Sequence, residues 1–322
     1  MAKTLTVAIP TYERASFLVE TLETLLPQLE KRVDIVVSDN GSQDGTGEIL
    51  QKYQRLCPKL KICGFPSNRG IDHNIVNCLK KAQGDYVFFF SDDDLLMPGS
   101  LQKVLAAIDG NKPTMLCLNH FCFKNHNLAE RYKPFLPCKN KIFTEGAAFF
   151  KYCGLGFLSS LIVDRRKALQ EAAFVRYGYE CAHLDIGARV ALKYPGPFIF
   201  LGEVSVAGRS LLTPRYDALK SCILFPKKFY ETLFEEGLLS KEELQFFLSK
   251  LLHKDLPRVI AKMHLYSSVD PKSYKPLLDE AFASHKRYRY FYAHLFFVNK
   301  RWHKRLLWLF MQGKHFLRKA LL

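Results

Sequence analysis

From Leu5 to Leu118, short apolar runs alternate with amphipathic stretches, and this alternation constrains the fold more than any other feature. Leu5-Thr6-Val7-Ala8-Ile9 has the apolar and β-branched content of a buried strand and is stopped by Pro10. Residues 15–29 place Leu18, Leu22, Leu25, Leu26 and Leu29 at helical spacing. Val33-Asp34-Ile35-Val36-Val37-Ser38 reads as a second strand, followed by a helix from Asp44 or Thr46 as cap to Tyr53. Leu60-Lys61-Ile62-Cys63-Gly64 is a third strand, and 71–82 a helix with Ile75, Val76 and Leu79 on one face. Tyr86-Val87-Phe88-Phe89-Phe90 is a fourth strand, 98–108 a helix and Met115-Leu116-Cys117-Leu118 another strand. A βαβαβαβ order predicts an α/β fold, a mostly parallel sheet flanked by helices on both faces.

Beyond Cys122 the pattern is less regular. Gly154-Leu155-Gly156-Phe157-Leu158-Ser159-Ser160-Leu161-Ile162-Val163 combines a Gly-rich turn with a strand, 179–192 reads as a helix, and 199–206 returns as a strand. From Pro214 the periodicity predicts a C-terminal helical region, with helices over 216–236, 241–253, 256–266, 273–287, 290–297 and 303–321.

The charge is uneven. The chain carries a net +16, and after Glu280 there are ten Lys/Arg and no Asp or Glu. Such a surface calls for an anionic partner. Lys300 to Met311 mixes cations with Trp302, Trp308 and Phe310, the composition of a helix that lies on an anionic membrane surface; self-association is an alternative use. No recognised nucleic-acid-binding module accompanies it, which argues against nucleic acid. The nine cysteines are scattered, with no CxxC pair and no zinc spacing, as expected of thiols in a reducing compartment. Met1-Ala2-Lys3 runs into the first strand without a secretory leader, and no run of about 18 apolar residues offers a membrane span. Both predict a cytoplasmic protein, and the basic tail predicts that it is peripheral on the inner face of the plasma membrane.

Four polar motifs follow four successive strands, at the edge where open α/β sheets bind ligands. Pro10-Thr11-Tyr12-Glu13-Arg14 offers a hydroxyl and a ring for a nucleobase and a guanidinium for phosphate. Asp39, in Ser38-Asp39-Asn40-Gly41-Ser42, can accept from a base N–H or a ribose hydroxyl. Asn68-Arg69-Gly70 precedes a helix whose backbone amides favour anions. Asp92-Asp93-Asp94 packs three carboxylates at a strand end, where their repulsion is relieved by a hard divalent cation, Mg²⁺ or Mn²⁺. Alone, each is an ordinary polar turn or helix cap. In this order, at consecutive strand ends, they reinforce one another.

With these motifs the chain resembles the family 2 glycosyltransferases of the GT-A fold. The matching residues are Pro10-Thr11-Tyr12, Asp39 to Thr46, Asn68-Arg69-Gly70, and Gly84-Asp85-Tyr86 through Asp94. Gly156 to Val163, His183 and Pro195-Gly196 are similar to the abequosyltransferase-type branch, which decorates O-antigen units. The resemblance implies a GT-A domain over 1–212, with a nucleotide-sugar-binding half (1–110) and an acceptor-binding half (111–212), followed by a basic helical region, 213–322. It implies a nucleoside-diphosphate-sugar donor, a divalent metal, a saccharide acceptor and, usually, inversion. A lipid-linked acceptor at the membrane, in bacterial surface polysaccharide synthesis, accounts for the basic tail.

Pro10, Thr11, Tyr12, Arg14, Asp39, Asn68, Arg69, Gly70 and Asp92 are thereby expected on the donor, and Asp93 and Asp94 on the metal. Asp92 or Ser91 faces the ribose in that frame, and Asp92-x-Asp94 is the competing metal frame. Glu13 departs from the family's usual Asn. The base that takes the acceptor proton is one of Glu180, His183 and Asp185; Asp185 matches the family role best and His183 the sub-family. Arg189, one turn beyond Asp185, is placed to pair with it. A non-catalytic nucleotide-sugar-binding scaffold is the alternative. A dehydrogenase is disfavoured because no GxGxxG follows the first strand.

Overall fold

The computed structural model describes residues 2–124, 127–210, 217–266, 270–283, 285, 288, 289 and 302. The chain divides into two compact units, Met1–Ser210 and Leu211–Leu322.

In the first unit β1 (Leu5–Thr11), α1 (Ala15–Leu25), β2 (Val33–Asp39), α2 (Thr46–Leu56), β3 (Leu60–Gly64), α3 (Ile71–Lys81) and β4 (Tyr86–Phe89) follow one another as the alternation predicts. Then come β5 (Leu95–Leu96), α4 (Ser100–Asn111), β6 (Met115–Lys124), β7 (Asn127–Arg131), β8 (Lys141–Phe143), α5 (Gly146–Cys153), β9 (Leu161–Asp164), α6 (Arg165–Glu171), α7 (Ala182–Lys193) and β10 (Phe198–Ser210). The sheet order is β3-β2-β1-β4-β9-β6-β10-β5. The pairs β3/β2, β2/β1, β1/β4 and β6/β10 are parallel. β9 inserts antiparallel between β4 and β6.

Parallel strands covered on both faces read as continuous apolar runs. Leu5, Val7, Ile9, Ile35, Val37, Phe88 and Phe90 form one core with Leu18 and Leu22 of α1, Leu50 of α2, and Leu101, Leu105 and Ile108 of α4. Each fully buried Phe contributes about 2–3 kcal/mol by area removed from water. α3 packs on β1 and β2 and against α7. These layers bring the carboxyl ends of β1, β2, β3 and β4 to one edge.

Three expectations change. β6 and β10 run longer than the sequence suggests: β6 continues through the polar Asn119 and His120, and β10 continues past Val206 through Gly208, Arg209 and Ser210, after register shifts between Leu201 and Val206. The helix expected from Tyr179 begins at Ala182. Its missing first turn is replaced by a loop with Gly178 (φ 91°) and Glu180 (φ 56°) in the left-handed region. Its amides are drawn instead onto the carboxylate of Asp72. The exposed strands β7 and β8 lie where no apolar run announced them.

The second unit is helical throughout its described residues: α8 (Phe225–Glu235), α9 (Lys241–Lys250), α10 (Leu256–Tyr266) and α11 (Lys275–Ala281). Ser240 and Glu243 form a capping box that starts α9. Lys220–Leu224 and Leu251–Asp255 are π-helical turns, placed just before Pro226 and Pro257. A helical proline lacks its N–H and collides with the carbonyl four residues earlier, so the turn before it widens. Leu219, Ile223, Leu256, Ile260, Leu278 and Phe282 make the core of this unit. The expected helices over 290–297 and 303–321 lie outside the described residues, as does the 300–311 stretch of the basic tail apart from exposed Trp302. Among the described residues no helix is long and apolar enough to cross a membrane.

Candidate active site

The ends of β1 and β2 are latched by one side chain. Asn74 of α3 donates through Nδ2 to the carbonyls of Thr11 (3.0 Å) and Ser38 (2.9 Å). Pro10 and Thr11 are buried within β1, and the Tyr12 ring emerges to solvent just beyond. Glu13 takes a left-handed φ of 50°, a conformation that suits the family's usual Asn better, and its amide donates to Ser42 Oγ at 2.8 Å.

Asp39 closes β2. Its Oδ1 accepts from the Ser42 amide (3.1 Å) and hydroxyl (2.6 Å), while Oδ2 takes no hydrogen bond from any described residue. Asn40 bridges to the third motif, accepting from Arg69 N at 3.0 Å and donating to Asn68 Oδ1 at 2.8 Å and Gly70 O at 3.2 Å. Gly41 sits at φ 81°, and a Cβ there would stand 2.6 Å from Ser67 Cα, so only Gly lets these turns meet. Asn68, Arg69 and Gly70 are exposed ahead of α3.

In the acidic turn the three carboxylates have different surroundings. Asp94 is buried, with Oδ2 accepting from Ser159 Oγ (2.6 Å) and Oδ1 from Arg209 N (2.8 Å). Asp92 is buried beside Thr11, Tyr12 and Arg14. The Thr11 hydroxyl faces it without regular hydrogen-bond geometry and is otherwise unpartnered. Asp93 is the more open: Oδ1 accepts from Ser91 Oγ at 2.7 Å, and Oδ2 stands 3.8 Å from Arg14 Nη1. Burial first, and then the charge of Asp93, hold both Asp92 and Asp94 well above the usual carboxylate range. Arg209 buttresses the turn, donating to Asp93 O (2.9 Å) and Glu20 Oε2 (2.6 Å).

The loop 154–160 joins this turn to α7. Ser159 Oγ accepts from Ser91 N (2.8 Å) while donating to Asp94. Three residues earlier, Gly156 O lies 3.2 Å from His183 Nε2. His183 is buried, its Nδ1 is unpaired, and burial lowers its pKa, with the Gly156 carbonyl and Asp72 offsetting part of that. Asp185 is 3% exposed and bonded to Arg189 Nε at 2.6 Å. Burial raises its pKa, against the pull of Arg189 and Arg176. Glu180 is exposed on the left-handed loop.

The structure therefore brings Thr11, Tyr12, Arg14 and Asp92–Asp94 around one turn, and ties Asn68, Arg69 and Gly70 to the end of β2. His183 is linked to the acidic turn through the loop. Asp185 is held inside α7, and Glu180 stands exposed on the loop ahead of it. Sequence reasoning passed over Asp72, Asn74, Ser159 and Arg209. Asp72 is buried at the start of α3 and accepts four backbone N–H groups: Gly178, Tyr179 and Glu180 on Oδ2 and Ala182 on Oδ1, at 2.9–3.1 Å. Its sequence signal was an acid in a first helical turn, which ordinarily reads as a dipole partner.

Comparison with known proteins adds the family. The model of "Glycosyl transferase family 2" matches residues 6–170, which includes every strand-end motif described above. The chain belongs to glycosyl transferase family 2. Among curated members of that family or its relatives, the teichuronic acid biosynthesis glycosyltransferase TuaG of Bacillus subtilis, a putative assignment in its own name, is 29% identical over 99 residues. That match spans 31% of this chain and 39% of TuaG. Abequosyltransferase RfbV of Salmonella typhimurium is 34% identical over 112 residues, 34% of each chain. A Campylobacter jejuni GalNAc(5)-diNAcBac-PP-undecaprenol beta-1,3-glucosyltransferase is 31% identical over 102 residues, 31% of this chain and 33% of that one. The chain thus spans only about a third to two fifths of these relatives' length.

Solved structures extend the likeness in fold. Staphylococcus aureus TarS 1–349 superposes with a TM-score of 0.65 at 16% identity, over 97% of this chain and 93% of that one. The Pyrobaculum calidifontis mannosyltransferase PcManGT, solved with GDP-Man and Mn²⁺, gives 0.55 at 16%, over 94% and 88%. The fold is the GT-A arrangement, as the sequence motifs imply.

Proposed function

We propose that this family 2 member is a metal-dependent glycosyltransferase. It moves a sugar from a nucleoside-diphosphate-sugar to a saccharide acceptor, lipid-linked, in bacterial surface polysaccharide synthesis, with inversion. The observation that carries the reading is the convergence of four polar motifs at the ends of β1–β4, with Asp93 offering the acidic turn's more open carboxylate.

Among the described residues no three His, Cys, Asp or Glu side chains converge into a metal cage. The donor set nevertheless fits Mg²⁺ or Mn²⁺, which take one or two carboxylates and complete their shell with phosphate oxygens and water. Asp93 suits the ligand role, since one of its oxygens meets only Arg14 at 3.8 Å. Both oxygens of Asp94 are already taken by Ser159 and Arg209, so Asp94 acts as a strut of the turn. A divalent ion bound there supplies Lewis-acid stabilisation of the departing diphosphate.

The remaining work falls to the chain. The Oδ2 of Asp39 accepts from base or ribose, and the Tyr12 ring stacks on the base. The exposed Asn68-Arg69-Gly70 turn and the start of α3 receive the diphosphate. The acceptor oxygen attacks the anomeric carbon opposite the leaving group in one displacement, which inverts it. We assign the proton to His183. With Nε2–H donating to Gly156 O, the neutral ring carries its lone pair on unpaired Nδ1. Nδ1 is screened from solvent, so a neighbouring segment must give way for the acceptor to reach it. Asp185, with its carboxylate committed to Arg189, positions the helix.

The burial of His183 and Asp185 is also what a non-catalytic nucleotide-sugar-binding scaffold would show. The two readings separate in one experiment. Release of labelled sugar from UDP-, GDP-, CDP- and dTDP-sugars is followed with Mn²⁺ and with EDTA, beside thermal shifts with the matching diphosphates. Turnover with one donor only in the presence of metal is expected. Undiminished turnover in EDTA removes the metal, and a thermal shift without turnover leaves the scaffold. Cytoplasmic-face attachment to the plasma membrane, through the basic tail, completes the proposal.

A further inference from the structure

Residues 131–142 leave β7 and cross the sheet as a strap. Tyr132 N donates to Cys122 O (2.7 Å) and Phe135 N to His120 O (2.8 Å). Asn119 is the central rivet. Its Oδ1 accepts from Leu136 N (3.1 Å), and its Nδ2 donates to Leu136 O and Gly202 O (both 2.8 Å). Asn140 Oδ1 then accepts from Gly202 N at 2.8 Å. A Cβ on Gly202 would stand 2.3 Å from Lys139 N, so the strap passes over β10 where there is no side chain.

The inner side of the strap is thus saturated with hydrogen bonds, and its outer side is unlike the rest of the unit. Arg131, Lys133, Lys139 and Lys141 are all exposed, and none is ion-paired to a described residue. No Asp or Glu lies between Glu130 and Glu145. Among these cations stand large apolar side chains: Leu128 is 44% exposed, Phe135 46% and Ile142 64%. Phe135 stacks on His120, and His120 on Phe157, the neighbour of Gly156 that faces His183. The strap therefore lies on the acceptor half, two ring contacts from the loop that serves the proposed base.

We propose that the strap is an attachment surface for an anionic lipid bilayer. Lys133 and Lys139, with Arg131 and Lys141 from beside the Phe121 and Tyr152 rings, meet anionic headgroups, and Leu128, Phe135 and Ile142 enter the acyl boundary. An anionic polysaccharide or nucleic acid would engage the cations but leave Ile142 and Leu128 in water. The inference rests on the reading of a lipid-linked acceptor and gives it a place. Vesicle attachment is measured without donor or acceptor, so a negative result strikes the strap and leaves the turnover test to judge the transfer reaction.

Cys138, exposed in the middle of the strap, supplies the local reporter. The full chain is labelled there with a polarity-sensitive thiol probe, and a Cys138→Ser chain gives the signal from the other cysteines. Vesicles of phosphatidylglycerol and phosphatidylcholine are expected to shift the emission to the blue and to protect the probe from iodide, while pure phosphatidylcholine vesicles do neither. Half-molar salt should reverse the effect, since the Debye length is then only about 4–5 Å. The triple change Lys133→Glu, Lys139→Glu, Lys141→Glu should weaken protection of the probe by ~100-fold in lipid concentration, from about 5-fold per lysine. Three results overturn the proposal: a probe that stays open to iodide while the chain sediments with anionic vesicles, which assigns attachment to the tail; equal protection by neutral vesicles; or no attachment at low salt.

Discussion

Asp72 offers the sharpest test of how the approach to α7 is built. Its Oδ2 accepts three amides of the 178–180 loop and its Oδ1 accepts Ala182 N, all at 2.9–3.1 Å. Asp72→Asn keeps one acceptor oxygen. Placed at the Oδ2 position it retains three bonds, now to a neutral group, but turns an NH₂ toward the buried amide of Ala182. One unsatisfied buried donor costs about 1–3 kcal/mol, and the three surviving bonds weaken, for a total of about 2–4 kcal/mol. Asp72→Ala strands all four amides. Gly178 and Glu180 are exposed and recover water, so the loss should be about 3–5 kcal/mol and not the full sum. In urea the midpoint should fall by about 1–2 M for Ala and less for Asn. Hydrogen exchange supplies a local readout, since the amides of 178–182 should lose protection before those of β1. The kcat should fall while KM for the donor holds, because the loop leads directly into α7 and His183. The reasoning fails if the Asn chain unfolds at the wild-type urea concentration with the Ala182 amide equally protected.

Two further outcomes concern the ionisable groups. His183→Ala should lower kcat by ~10²-fold or more with donor binding kept, whereas Asp185→Asn should chiefly reduce stability, because it removes the charge that faces the buried guanidinium of Arg189; a fully active His183→Ala chain returns the assignment to the carboxylates. Burial raises the pKa of Asp92 and Asp94 in the folded chain, so the fold binds more protons than the unfolded chain between the ordinary carboxylate range and the raised values, and stability falls as pH rises through that window. The lowered pKa of His183 acts oppositely, removing stability as pH drops below its ordinary value, so the carboxylates are read from pH 6.5 upward. Denaturation in EDTA should show the decline, Asp94→Asn should flatten it, and Mn²⁺ with nucleoside diphosphate should restore more stability at pH 8 than at pH 6.5; a flat wild-type profile would contradict the burial of these charges.

How much of this was legible beforehand follows from which atoms do the work. β1–β4 were visible because buried parallel strands need unbroken apolar runs, as in Val33 to Val37 and Tyr86 to Phe90. The strand-end motifs were visible because their roles belong to side chains. The Asp185–Arg189 pair followed from i,i+4 spacing. What stayed hidden is carried by backbone. β7 and β8 pair through main-chain bonds while all their side chains but the half-buried Phe143 face water, so no periodicity marks them. The partners of Asp72 are amides more than 100 residues away, which no residue type advertises. The serine and the Arg209 amide that meet the two oxygens of Asp94 lie 65 and 115 residues away, so nothing beside it in the sequence announces them.

The grip of Asp72 falls on main-chain amides, so those four bonds do not depend on which side chains the loop carries. Tyr177, Tyr179 and Glu180 can therefore be exchanged while the same four N–H groups go on meeting the same two oxygens. A path of this kind lets a lineage, or a combinatorial library built at these positions, vary the side chains ahead of α7 without dismantling the support beneath His183.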